Sequence, residues 1–365
     1  MGVPENEAPA IQEARWTGPR KWLLRAGVTL FLITYSAVTV FPFYVLFVRT
    51  FVSTKDATDL HLWIPPATEV SLDAGIGNLS VFYNLDIKKL KADLGIPQTA
   101  YIRPQTTLAQ ISEKYDIPPE KIRRYLAPFA TFNGWIVLFS SGRIVPALVR
   151  TIIVSVASLV GLNALSICTG YALAGLRRRD QMFIYNLYLL QMVIPPMLVL
   201  LPQYLLVQSI LKLVPGTGVA GFTRNASQIV VVILLVVKGG ALSTMIFTSF
   251  IGAIPRELEE CSEIDGANRL QYLIHILLPL LKVPIASLTV IELPVIWNEF
   301  LAPYVYLDPA NQTLIPMIQS FSGQYTTNYQ IVFTAAFVSI LPLAAVYLVF
   351  RRFFIRGLLA GAIKG

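Results

Sequence analysis

The sequence predicts an all-α membrane protein with six transmembrane helices and a small external, α-helical insert between helices 1 and 2. Of its 365 residues, 55% are hydrophobic and only 14% are charged. Soluble domains carry about a quarter charged residues, so this chain has too little charge to coat a water-exposed globule. The apolar residues also form runs long enough for the roughly 20 helical residues that cross ~30 Å of hydrocarbon. Much of the surface must therefore face lipid.

The apolar runs divide the chain into a membrane part, an insert and two tails. They lie at about 23–50, 146–176, 182–208, 228–250, 277–303 and 329–352. Residues 1–20 form a cytoplasmic tail, 21–50 the first helix, 51–145 the external insert, 146–352 the core of helices 2–6, and 353–365 a second cytoplasmic tail. Pro195 and Pro196 interrupt the third run, where proline removes backbone donors and is expected to kink the helix.

The distribution of basic residues predicts the orientation. Arg177–Arg179, Arg256, Arg269 and Arg351 fall on one side, whereas the loop at 304–328 has no Lys or Arg. Because Lys and Arg are retained on the cytoplasmic side, both termini are predicted to be cytoplasmic in a multi-pass protein of the inner or plasma membrane. The net charge of +8 is explained in the same way. No basic stripe lies on a soluble domain, so no nucleic-acid partner is expected.

Metal and cofactor chemistry is not expected. Cys168 and Cys261 fall in predicted membrane or cytoplasmic positions, which does not indicate a disulfide framework. His61 and His275 are too few and too far apart in sequence to indicate a metal site.

The middle of the insert has the pattern of short soluble helices. Residues 87–94 read as a helix closed by Gly95, and two more short helices are predicted around Asp116–Pro119, the first capped by Thr106 or Thr107. This pattern is similar to that of a LysM module or a helix-turn-helix, which would imply glycan or DNA binding. We favour a small helical cap packed on the membrane domain.

A cytoplasmic segment at 254–279, between helices 4 and 5, predicts two short amphipathic helices joined at Gly266. Glycine permits the positive φ that a chain reversal needs. Acidic residues near the start of the first helix suit its dipole, and Leu270, Leu273, Ile274 and Leu277 give the second helix an apolar stripe. On spacing alone, an ordinary interfacial hairpin explains the segment equally well.

The residues of this segment resemble the EAA loop of binding-protein-dependent ABC permeases, Glu-Ala-Ala-x-x-Asp-Gly-Ala followed by Ile-x-Leu-Pro. The matching residues are Glu260, Cys261, Ser262, Asp265, Gly266, Ala267, Ile276, Leu278 and Pro279. Cys261 and Ser262 replace the two alanines, and both are still small. The stretches that begin at Tyr171, Gln191, Trp297 and Gly357 resemble the carbohydrate, maltose-type branch. The resemblance covers about residues 20–60 and 146–365, and not the insert.

The resemblance implies a permease subunit that acts with partners. Two homologous permeases would form the pathway in the lipid bilayer, each docking one copy of an ATPase dimer through this loop, and an external solute-binding protein would deliver sugar. The chain itself has no G-x-x-x-x-G-K-[ST] pattern, so we expect a non-catalytic subunit. The alternatives are an importer permease for another solute such as glycerol phosphate, a membrane-anchored glycan receptor, or a secondary transporter.

Ionisable and polar residues inside the runs indicate a translocation path. A charge at the bilayer centre is costly, so Lys238 and Glu292, at similar depths, are expected to pair or to line the path. Otherwise Lys238 snorkels and Glu292 is protonated. Trp297, Asn298 and Glu299 lie near the outer interface, where they either contact sugar or anchor the helix. The predicted path comprises Gln191, Pro195, Lys238, Glu292, Trp297, Asn298 and Glu299.

Overall fold

A computed structural model describes residues 19–52, 62–64, 72–73, 75–77, 86–213, 224–322 and 328–362. The all-α prediction is confirmed, since helices dominate these residues and the only β pairing among them is an isolated bridge between Gly75 and Thr107. Residues 1–18 and 363–365 of the predicted tails lie outside the described part. The helices are α1 (Pro19–Arg49), α2 (Ile87–Leu94), α3 (Leu108–Lys114), α4 (Pro119–Ser140), α5 (Ile144–Ala174), α6 (Arg178–Val193), α7 (Pro196–Leu213), α8 (Arg224–Ile251), α9 (Glu257–Ile264), α10 (Arg269–Leu280), α11 (Lys282–Trp297), α12 (Leu301–Tyr306), α13 (Leu314–Gln319) and α14 (Tyr329–Ala362).

Within the described residues, α1, α5, α8 and α14 are long and apolar enough to cross a membrane. The pairs α6–α7 and α10–α11 qualify only when each bent pair counts as one span, so the number is four to six. The bend between α6 and α7 is 101°, much larger than the expected kink. Ile194 is extended there, because the residue before a proline is pushed out of the helical region.

The centre of the fold is the close pair of parallel helices α5 and α8. A β-carbon placed on Gly170 would stand 3.0 Å from Cβ of Phe247, and one placed on Gly161 would stand 3.0 Å from Val236. The hydroxyls of Thr169 and Thr244 are 2.9 Å apart and hydrogen-bonded. Small residues and interhelical hydroxyl bonds let membrane helices approach closely. This pair therefore forms a central spine against which α11 packs, and α14 in turn packs on α11 and α4.

The insert has a hydrophobic core of its own, formed by α2, α3 and the first half of α4. Its buried members are Ile76, Leu90, Leu94, Ile96, Leu108, Ile111, Ile117, Ile122 and Leu126. The predicted caps are confirmed: Gly95 ends α2 with φ +77°, and Thr107 forms a capping box with Gln110 at the start of α3. The Tyr125 hydroxyl donates to Asp93 at 2.9 Å. Burial and this bond raise the pKa of Tyr125 to about 12.

The last predicted helix of the insert is longer than expected. The pattern around Asp116–Pro119 predicts only a short helix here, but α4 continues to Ser140, and its second half packs against α14. Gln330 at the start of α14 donates to the carbonyls of Thr50 and Thr131. One continuous helix therefore joins the insert core to the membrane core.

The contact between α4 and α14 gives a stability prediction. A β-carbon on Gly134 would stand 2.4 Å from Oγ1 of Thr334 and 2.8 Å from the carbonyl oxygen of Gln330. We expect Gly134→Ala to destabilise the protein by about 1–3 kcal/mol, a typical cost of overpacking, and to lower the thermal unfolding midpoint measured in detergent. The matched control is Gly240→Ala in α8, where the added β-carbon meets nothing within 4 Å. Equal midpoints for the two variants would contradict the prediction.

Candidate functional sites: the helix–glycine–helix loop and a membrane cavity

The helix–glycine–helix prediction for the loop is confirmed. Helices α9 and α10 are joined at Gly266, which has φ +84°. The Ala267 N–H donates to the carbonyl of Ser262 at 2.9 Å, which closes the end of α9. Asn268 then caps α10 by accepting from the N–H of Gln271 at 2.9 Å. Hydrogen bonds between near neighbours therefore build the elbow.

The motif residues differ in burial, and most of them form an exposed face. Ser262 is buried and its hydroxyl donates to the carbonyl of Glu259 at 2.7 Å. Ala267 and Ile276 are half-buried. The exposed members are Glu260, Cys261, Asp265, Gly266, Leu278 and Pro279. Beside them Ile264 is 85% exposed, so the loop presents apolar as well as acidic surface.

The predicted apolar stripe of the second helix does not face one side. Leu277 is buried, whereas Leu270 and Ile274 are exposed. A π-helical turn at Leu273–Leu277 shifts the register of Leu277 relative to Leu270, which precedes the turn, and Ile274, which lies within it. Leu270 and Ile274 thereby extend the exposed apolar surface of the loop.

The loop is attached to the spine by a contact that sequence reasoning missed. The Tyr171 hydroxyl, near the end of α5, donates to the carboxylate of Glu259 in α9. The rings of Tyr171 and Tyr272 also pack with their centroids 6.1 Å apart. Beneath them Tyr272 and Leu277 join the buried cluster of Phe247. The loop is therefore in direct contact with both α5 and α8.

A cavity of about 510 Å³ lies where the break between α6 and α7 faces α8 and the start of α12. Three residues of the predicted path, Gln191, Lys238 and Glu299, line it together, and Ile194 and Pro196 line it on either side of Pro195. The remaining lining residues are Met192, Val199, Leu200, Gln203, Leu234, Leu235, Val237, Leu301 and Ala302. Nonadjacent parts of the sequence thus converge on one partly polar space.

The expected ion pair between Lys238 and Glu292 is wrong. Nζ of Lys238 instead lies 2.5 Å from Oε2 of Glu299. Glu292 is buried, and its Oε2 stands 3.4 Å from where a β-carbon on Gly239 would lie, against Leu162 of α5. Lys238 is bonded to the carboxylate just beyond the end of α11, so similar depth did not make Glu292 its partner.

Glu299 and Gln191 are both held by backbone contacts. Oε1 of Glu299 accepts from the N–H groups of Leu301 and Ala302, at 3.0 and 3.4 Å, at the start of α12. Nε2 of Gln191 donates to the carbonyl of Val237 at 3.1 Å. Backbone groups therefore hold both of these polar lining residues in place.

Trp297 and Asn298 do not line the cavity. Trp297 is 5% exposed, and its Nε1 donates to the carbonyl of Ser339 in α14 at 3.2 Å. Asn298 is exposed and donates to the carbonyl of Pro294 at 2.9 Å. The indole belongs to the contact between α11 and α14, which leaves it no free face for a sugar ring or for the membrane interface.

Sequence reasoning also missed Arg150, a charged residue inside the second predicted span. Arg150 in α5 is 8% exposed, and its guanidinium donates to Oδ1 of Asn311 at 2.9 Å and to the carbonyls of Ala310 and Gln312 at 3.4 Å. A charge inside an apolar run was the available signal. Arg150 holds the segment between α12 and α13 on the end of α5.

Bent apolar helices around a partly polar cavity, with an exposed helix–glycine–helix loop attached to the central pair, define a membrane transport subunit. The family model of the binding-protein-dependent transport system inner membrane component matches residues 166–359, more than half of the chain. The chain belongs to this family and is the permease subunit of an ABC importer.

Individual relatives agree with the family assignment. A probable starch degradation products transport system permease protein of Thermoanaerobacterium thermosulfurigenes is 28% identical over 216 residues, 59% of this chain and 74% of that protein. A melibiose/raffinose/stachyose import permease protein of Bacillus subtilis is 29% identical over 219 residues, 60% of this chain and 75% of that protein. A crystal structure of a bacterial ABC transporter that imports the acidic polysaccharide alginate has a similar fold, with a TM-score of 0.58 at 14% identity, covering 93% of this chain and 99% of that chain.

Proposed function

We propose that this permease moves a sugar, delivered by an external solute-binding protein, along a path that it forms with a second, homologous permease. Sugar importers among its relatives support the substrate class. The observation that carries the proposal is the loop. Most of its motif residues are exposed, whereas Tyr272 and Leu277 are buried with Phe247 of α8. A mere interfacial hairpin would not require the bond between Tyr171 and Glu259.

The ATPase dimer supplies the energy, one ATPase binding the exposed face of α9 and α10 on each permease. Closure of the dimer around ATP pushes the two loops together, and the contacts with α5 pass this movement to the spine. This mechanism requires the loop and both termini to be cytoplasmic, which agrees with the basic residues around Arg177 and Arg256. The permease itself contributes no residue to hydrolysis.

The sugar path runs through the cavity between α6, α7, α8 and α12. No side chain of α6 is buried within the chain, and α1 is exposed from Trp22 to Phe43. Such apolar surfaces are available to lipid and to the second permease. Gln191, Lys238 and Glu299 supply hydrogen-bonding groups on the wall that this chain contributes.

Co-purification tests whether this chain assembles with an ATPase and a second permease. An affinity tag on this chain is expected to recover an ATPase and a second permease in fixed stoichiometry from native membranes. After reconstitution with the solute-binding protein, the assembly should accumulate a labelled oligosaccharide only when ATP is present inside the vesicle. Recovery of the chain without either partner would favour a glycan receptor. ATP-dependent uptake of glycerol phosphate but of no sugar would favour the other importer.

A further inference from the structure

The cavity holds two charged side chains of opposite sign that neutralise each other. Among the described residues that line it, only Lys238 and Glu299 are charged. Their charged atoms are 2.5 Å apart. Glu299 is one-tenth exposed, whereas nearly half of the Lys238 side chain is accessible. A ligand in the cavity therefore meets an ammonium group whose charge is already balanced.

The remaining lining cannot compensate a charge on the ligand. It consists of aliphatic side chains, Met192, Pro196, and the amides of Gln191 and Gln203. Amide groups exchange hydrogen bonds with hydroxyls, and aliphatic side chains suit the C–H faces of sugar rings. A carboxylate or phosphate would have to displace Glu299 from Lys238. Glu292, the other acidic residue nearby, is buried beside Gly239 and does not line the cavity.

Resting on the proposed function, we infer that the Lys238–Glu299 pair makes this path selective for uncharged saccharides over acidic ones. The pair acts as a specificity determinant because it keeps a cation in the cavity while cancelling its attraction for anions. Removing the negative partner alone converts the same wall into a site that favours an acidic sugar.

Glu299→Gln is the direct test. Glutamine keeps an oxygen that can accept from the N–H groups of Leu301 and Ala302, so the start of α12 retains its cap. The whole assembly is placed in nanodiscs without the solute-binding protein, whose own selectivity would mask the effect. Ligand-observed NMR then compares the affinities of maltotriose and of its C6-oxidised uronic acid form.

We expect the wild-type assembly to favour maltotriose and Glu299→Gln to raise the relative affinity for the uronic acid by roughly fivefold or more, as expected for unit charges about 4 Å apart in water. The gain should shrink as salt is added, because salt screens exposed charges. Lys238→Gln should shift the ratio the other way, and the double variant should restore the wild-type ratio. Glu113→Gln, an exposed carboxylate of the insert, is the matched control.

An unchanged ratio in Glu299→Gln and Lys238→Gln would overturn the inference while leaving sugar import intact. The same conclusion follows if neither saccharide binds in any variant although the assembly imports sugar. Failure of the wild-type assembly to import any saccharide would instead refute the proposed function on which the inference rests.

Discussion

Gly266→Val is expected to abolish most sugar uptake by the reconstituted importer. Gly266 has φ +84°, and a β-carbon there would meet nothing within 4 Å. Any penalty therefore comes from the backbone alone and not from a clash. The left-handed conformation costs an L-residue about 1–2 kcal/mol, and a β-branched residue is strongly disfavoured there. We expect uptake and ATPase recovery to fall together by about tenfold, since roughly 1.4 kcal/mol corresponds to that factor.

The matched control is Gly266→Asn, because asparagine tolerates the left-handed region better than other residues with a β-carbon. It should retain most of the uptake and most of the bound ATPase. Uptake and ATPase binding would then depend on the left-handed backbone conformation at residue 266, and not on glycine itself. Wild-type uptake with a full complement of ATPase in the Val variant would show that the loop does not need this geometry.

Tyr171→Phe is expected to separate ATP hydrolysis from transport. The substitution removes the hydroxyl that binds Glu259 and keeps the ring packed on Tyr272. Hydrogen bonds to charged groups contribute about 1.5–3 kcal/mol, reduced here because both side chains are partly exposed to solvent. The loop still has its exposed face for the ATPase, but its link to α5 is weaker. We expect sugar moved per ATP hydrolysed to fall about fivefold or more in proteoliposomes.

A double-mutant cycle assigns this effect to the contact. Glu259→Gln should lower the transport-to-hydrolysis ratio as well, and Tyr171→Phe combined with Glu259→Gln should be no worse than the more severe single change. Glu113→Gln, an exposed carboxylate of the insert and not of the loop, serves as the control. Additive losses, or an equal loss in the control, would mean that the two side chains do not act as a unit.

Features that depend on near neighbours in the chain could be predicted well. The cap residues Gly95 and Thr107, the break at Pro195 and the elbow at Gly266 all appear in the structure where the sequence indicated them. Each of these features depends on backbone geometry within a few residues, so the neighbouring residue types are enough to predict it. Hydropathy placed the long helices for a related reason, since lipid acts on composition over about 20 residues.

The arrangement of the candidate path was harder to predict. The polar residues inside the apolar runs predict one path that includes Gln191, Lys238 and Glu299, and the structure brings these three to one cavity. Depth along the helices suggested Glu292 as the lysine partner, but depth does not define the direction in which a side chain points. Trp297 was placed at an interface by its residue type, although its neighbour in space is Ser339 of α14.

The sequence by itself determined the class of the protein, the apolar helices and the helix–glycine–helix loop, because these follow from composition and short-range backbone chemistry. Only the tertiary structure decided that α4 runs on to Ser140, that Tyr171 binds Glu259, and that Lys238 binds Glu299. Each of these depends on a residue distant in sequence or on packing between helices. Such contacts depend on helix rotation and crossing, which a single sequence does not specify.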